Sequence, residues 1–125
     1  MKRCLIVDDS RIIRRVASKI LYELGFEPEE AEDGKKALEA VRVHMPEVAI
    51  VDWDMPVMDG IAFVKELRQL PGGDKITVIF CAAENDAEHI NRALDAGADE
   101  YIMKPFDSEI VRSKLMLLGA LEGGK

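Results

Sequence analysis

The chain has 125 residues, 48 % of them hydrophobic, enough for one sizeable core and too few for a second domain of ordinary size. Its formal net charge of −7 at pH 7 excludes a general nucleic-acid-binding surface, which needs clustered positive charge. The first apolar run, residues 4–7, is cut off by Asp8-Asp9, too soon for a secretory signal or a membrane span; no membrane insertion and a cytoplasmic location are therefore expected.

Residues 4–7 predict a first strand. Ile12, Ile13, Val16, Ala17, Ile20 and Leu21 then recur at intervals of three to four, predicting a helix with one apolar stripe that ends at Gly25. Residues 26–31 predict a second strand whose charges and Pro28 suit a sheet edge. Asp33 is a candidate N-cap for a second helix carrying Ala37, Leu38 and Val41. The run 48–51 is a third strand, followed by a helix capped by Asp59 with Phe63, Val64 and Leu67 inward. Residues 77–82 make a fourth strand. Asn85-Asp86-Ala87-Glu88 resembles a capping box for a fourth helix with Ile90 and Leu94 inward. A strand at 101–103 and a helix capped by Asp107, with Ile110, Val111, Leu115 and Leu118 facing the sheet, complete the series, and only Gly123-Gly124-Lys125 looks loose.

Five apolar runs alternating with five helical patterns predict an α/β fold with a parallel sheet covered on both faces. Cys4 and Cys81 fall in apolar strands and read as small buried hydrophobes rather than a disulfide.

In such folds the carboxyl ends of the strands line the ligand crevice. Asp8 and Asp9 follow the first strand, Asp52 ends the third and Lys104 follows the fifth. Three close carboxylates need a compensating cation, and a site of few hard oxygen ligands suits Mg²⁺. With the charge neutralised, Asp52 can approach a phosphorus atom as nucleophile while Lys104 pairs with a phosphoryl oxygen.

Asp8-Asp9, the run Val51-Asp52-Trp53-Asp54-Met55-Pro56-Val57-Met58-Asp59-Gly60, and Tyr101-Ile102-Met103-Lys104-Pro105-Phe106 together resemble the receiver domains of response regulators, over roughly residues 3 to 120. The resemblance is strongest to the stand-alone CheY-like type, and it implies that residues 1–125 form a single receiver domain. It implies a flavodoxin-like, five-stranded parallel sheet in the order 2-1-3-4-5 with five helices on both faces. Asp52 would be the phosphorylated residue. Asp9, Asp52 and the backbone carbonyl of Asp54 would ligate Mg²⁺, Asp8 would act mainly through water, and Lys104 would hold the phosphoryl group before a cis Lys104-Pro105 bond. A histidine kinase or histidine phosphotransfer protein is the implied donor. The face of fourth helix, fifth strand and fifth helix is the implied output surface toward a protein target. The chain would assist its own phosphorylation and dephosphorylation rather than act as an enzyme on a separate substrate.

One position departs from the pattern. The Ser or Thr that receivers carry at the end of the fourth strand falls on Ala82, which has no hydroxyl, so the conformational switch involving Ala82 and Tyr101 is expected to be weakened while Asp52 stays competent. Cys81 should point to the opposite face and cannot substitute. Two other readings compete: a receiver-like binding module that works without phosphorylation, and a small phosphatase using Asp52-x-Asp54. Trp53 is either a binding platform or a cover for the following helix. Tyr101 is either an aromatic that reorients on activation or a packed strand residue. His44 and His89 are expected at the surface. Arg11, Arg14 and Arg15 are either solvated or, by resemblance, part of a kinase-docking face.

Overall fold

A computed structural model describes residues 2–83 and 86–121. In chain order these form β1 (Lys2–Val7), α1 (Arg11–Glu23), β2 (Phe26–Ala31), α2 (Gly34–Val43), β3 (Val48–Asp52), α3 (Gly60–Gln69), a 3-10 turn (Gly73–Lys75), β4 (Thr77–Ala82), α4 (Ala87–Ala96), β5 (Glu100–Met103) and α5 (Ser108–Leu117). The strands make one parallel sheet in the order β2-β1-β3-β4-β5, as the sequence leads one to expect.

The central strands read as unbroken apolar runs because both faces of the sheet are covered. Strand alternation sends Leu5, Val7, Val51, Val78, Phe80 and Ala82 into one apolar cluster with Leu38, Phe63, Val64 and Leu67 of α2 and α3 and Ala93 of α4. Their neighbours Cys4, Ile6, Ile50, Ile79, Cys81 and Ile102 enter the other cluster, against Ala17, Ile20 and Leu21 of α1 and Val111 and Leu115 of α5. Both cysteines are buried and free, and they lie on the face opposite Ala82.

The helices begin at side chains that accept an orphan backbone N–H: Ser10, Asp33, Asp59, Asp86 and Asp107. The cap of α4 is thus Asp86, one residue later than the expected capping box; Asn85 lies outside the described residues, as does the Gly123-Gly124-Lys125 tail. Gly25, at φ 98°, turns the chain out of α1 in a conformation that L side chains resist.

Three helical stripes are narrower than their periodicity suggests. Ile12 and Val16 of α1 are 76 % and 46 % exposed, because the arc of α1 that meets the sheet is centred on Ile13, Ala17, Ile20 and Leu21, and a single packed layer covers an arc only about 100° wide. Leu94 and Ile110 are likewise partly open to solvent, at 39 % and 40 % exposure, and in α4 it is Ala93 that is buried.

The edge strand β2 is not merely solvated. Arg3 pairs with Glu27 and Glu29, and Arg14 pairs with Glu30 at 3.1 Å. Among the described residues no helix is long and apolar enough to cross a membrane.

Candidate phosphoryl-transfer site

The register of the sheet brings the chemical residues to one carboxyl edge. Asp52 is the last residue of β3, Asp8 follows β1 immediately, and the Lys104 amide donates to the carbonyl of Ala82 at the end of β4 (2.9 Å). Carboxylate oxygens of Asp8, Asp9 and Asp52 all lie within 4.8 Å of one another. Asp8 and Asp52 are buried, whereas Asp9 is exposed. The Lys104 ammonium sits between the two buried acids, 2.8 Å from Asp8 Oδ2 and 3.3 Å from Asp52 Oδ1. Asp8 Oδ1 accepts from the Ser10 amide at 2.9 Å. Asp54, expected to contribute through its carbonyl, is exposed, and its carboxylate is not part of this cluster.

Local structure explains why Asp52 stays there. The chain must fold back so that α3 starts beside the end of β3, and the Gly60 amide donates to the Trp53 carbonyl at 2.9 Å. A Cβ at Gly60 would lie 2.0 Å from the Asp52 carbonyl oxygen, so no other residue allows this approach. Between them Val57 takes φ 69°, where the Met58 amide reaches back to the Pro56 carbonyl at 2.7 Å in a tight reversal. The Lys104-Pro105 bond is cis.

Burial, and after it the neighbouring Asp8 charge, pushes the Asp52 carboxyl up to about 6, against the lowering influence of Lys104. Burial works to lower the Lys104 ammonium, but its hydrogen bond to Asp8 and the charges of Asp52 and Asp8 outweigh it and the net shift is upward. The site therefore holds three carboxylates against one ammonium. Its excess negative charge and hard oxygen donors suit a divalent cation.

Around this core lie the remaining candidate residues, each with its own contacts. Ala82 is buried in the apolar cluster at 1 % exposure and presents only its methyl group beside the site. Tyr101 is half-buried on β5, with the Lys114 ammonium 5.1 Å from its ring centroid. Trp53 packs against the core cluster and stacks on His89 of α4, ring centroids 3.6 Å apart at 14°. His89 is consequently not a free surface residue; its Nδ1 lies 2.6 Å from Asp86 Oδ1. His44 is exposed at the end of α2. Arg14 is not solvated either, since it donates to the Asp8 carbonyl at 2.8 Å. Neither the Trp53–His89 stack nor the Arg14 contact has a spacing signal in the sequence. A basic residue one helical turn past an acidic loop is the only hint of the latter.

Comparison with known proteins agrees with this arrangement. The response regulator receiver domain family matches residues 4–116. The chemotaxis protein CheY of Bacillus subtilis (strain 168) is 39 % identical over 110 residues, covering 87 % of this chain and 90 % of that protein. The phosphate regulon transcriptional regulatory protein PhoB of Escherichia coli (strain K12) is 36 % identical over 105 residues, 84 % of this chain but 46 % of PhoB. Among solved structures, chemotaxis response regulator CheY4 of Vibrio cholerae superposes with a TM-score of 0.88 at 33 % identity, over 94 % of this chain and 98 % of CheY4. With its sheet order, its acidic edge and these matches, the chain belongs to the response regulator receiver domain family of two-component signalling, whose members accept a phosphoryl group and assist its transfer and removal rather than turning over a separate substrate.

Proposed function

We propose that Asp52 is the phosphoryl acceptor in a Mg²⁺-dependent reaction with a histidine kinase or histidine phosphotransfer protein as donor, with residues 1–125 acting as one receiver domain in the cytoplasm. The observation that carries this reading is the position of Asp52, a nearly buried carboxylate within reach of two further carboxylates and 3.3 Å from the Lys104 ammonium. The carboxyl is ionised above about pH 6 and is then the nucleophile. Its oxygen forms the bond to phosphorus as the bond from phosphorus to the donor's imidazole nitrogen breaks, the electron pair leaving with that nitrogen. Lys104 then turns from Asp52 to a phosphoryl oxygen, keeping its contact with Asp8.

Asp9, Asp52 and the carbonyl of Asp54 would hold Mg²⁺, with Asp8 bound to it through water. The bound ion would neutralise charge on the transferring oxygens. Asp54 at the exposed rim would adjust the charge met by an attacking water when the phosphoryl group is removed.

The output face is read as α4, β5 and α5. Support comes from Leu94, Met103 and Ile110, apolar side chains of these elements that are each 38 to 40 % exposed. The exposed Ile12 and Val16, flanked by Arg11 and Arg15, support α1 as the surface that meets the donor.

Incubation with Mg²⁺ and acetyl phosphate should add one base-labile phosphoryl group that maps to Asp52. Labelling that persists in Asp52→Asn at the wild-type rate sinks the assignment. Ala82 favours a second reading, in which the protein binds its target without regard to phosphorylation, because nothing at that position can bond a phosphoryl oxygen. Hydrogen exchange in α4 and β5 should change little on adding Mg²⁺ and beryllofluoride, and more in Ala82→Thr. A large change in the wild type excludes the second reading.

A further inference from the structure

Arg14 donates from Nη1 to the Asp8 carbonyl at 2.8 Å and from Nε to Glu30 Oε1 at 3.1 Å, with its side chain only 15 % exposed. Glu30 is itself held, since Ser18 Oγ donates to its other oxygen at 3.0 Å and Arg15 lies 3.7 Å away. The Asp8 amide donates to Ala31, the residue after Glu30, at 3.1 Å. Both the amide and the carbonyl of Asp8 are therefore tied to the end of β2, one directly and one through Arg14.

The consequence follows from peptide planarity. The Asp8 carbonyl shares a rigid plane with the Asp9 amide, so fixing that oxygen fixes the direction in which the chain leaves Asp8 and enters Asp9. Asp9 is exposed and lacks the packing that confines Asp8 and Asp52.

We propose that Arg14 is a positioning residue of the acidic site: braced on Glu30, its guanidinium sets the Asp8–Asp9 peptide and so aims both carboxylates into the cluster with Asp52. This rests on the reading of that cluster as the Mg²⁺ and phosphoryl site. It also assigns a purpose to the acidic end of the edge strand, which local pattern explains only as tolerated exposure. Groups that orient metal ligands from behind change affinity about 10- to 100-fold when removed.

The sign of the effect distinguishes this role from bare charge. Deleting a cation beside an anionic cluster tightens binding of Mg²⁺ by Coulomb attraction alone, whereas loss of aim weakens it. The full-length chain, as wild type, Arg14→Met, Arg14→Lys and Glu30→Gln, is titrated with MgCl₂ and followed by Trp53 fluorescence and calorimetry. Exchange of the Asp9 and Ser10 amides is measured without metal; the Ser10 amide reports directly because it donates to Asp8 Oδ1.

Arg14→Met should bind Mg²⁺ about tenfold more weakly, with Arg14→Lys and Glu30→Gln in between and faster exchange at Ser10 in all three. Equal or tighter binding by Arg14→Met, with Ser10 exchange unchanged, overturns the proposal. If Arg14→Met does not fold, Arg14→Lys, which keeps the charge but not the two-pronged geometry, decides by the same criteria. A wild type that binds no Mg²⁺ refutes the metal reading instead, and the metal-free exchange at Ser10 then decides the role of Arg14 alone.

Discussion

Asp52→Asn removes a nearly buried ionisable carboxyl from the acidic cluster while keeping its shape. In the folded, metal-free protein this carboxyl titrates at about 6 instead of its ordinary 3.8, chiefly through burial and then through Asp8. The folded state thus binds the proton more tightly than the unfolded state. The stability contributed by neutral Asp52 is fully present below pH 3.8 and is lost as the pH rises through about 6. At about 1.36 kcal/mol per tenfold change in proton affinity, holding the charge at neutral pH costs about 3 kcal/mol. Urea unfolding in chelator-containing buffer from pH 3.5 to 7.5 should show Asp52→Asn more stable than wild type by about 3 kcal/mol at pH 7.5 and by almost nothing at pH 3.5. Adding Mg²⁺ should raise wild-type stability and narrow the gap, since the ion binds the folded acidic site. A variant no more stable than wild type at pH 7.5, or a difference that does not vary with pH, refutes the argument that the site stores unfavourable charge.

Lys104→Met leaves Asp8 and Asp52 without their ammonium; metal-free stability at pH 7.5 should fall by about 2 kcal/mol, while calorimetry should find Mg²⁺ bound more tightly. Gly60→Ala forces a Cβ against the Asp52 carbonyl at 2.0 Å and should cost about 3 kcal/mol in urea unfolding, with loss of Asp52 phosphorylation before loss of the sheet. Cys4 and Cys81, fully buried and with thiols pushed up by that burial, should be inert to Ellman's reagent in the folded protein and react together on unfolding.

The amino-acid order by itself determines the alternation of strand and helix, the parallel sheet, and the aspartates Asp33, Asp59 and Asp107 that cap three of the five helices, because these depend on periodicity and on hydrogen bonds between near neighbours. It also marks Asp8, Asp9, Asp52 and Lys104, since residues that end parallel strands must share one edge. Only the tertiary structure decides which flank of an amphipathic helix is covered: Ile12 and Val16 are four residues apart just as Ile13 and Ala17 are, yet face solvent because the sheet meets only one arc of α1. Only it reveals that His89 stacks on Trp53, thirty-six positions away in the chain, and that Arg14 turns inward to the Asp8 carbonyl. It also makes Asp52 resist ionisation, because desolvation and the Asp8 charge act across space and have no representation in local sequence.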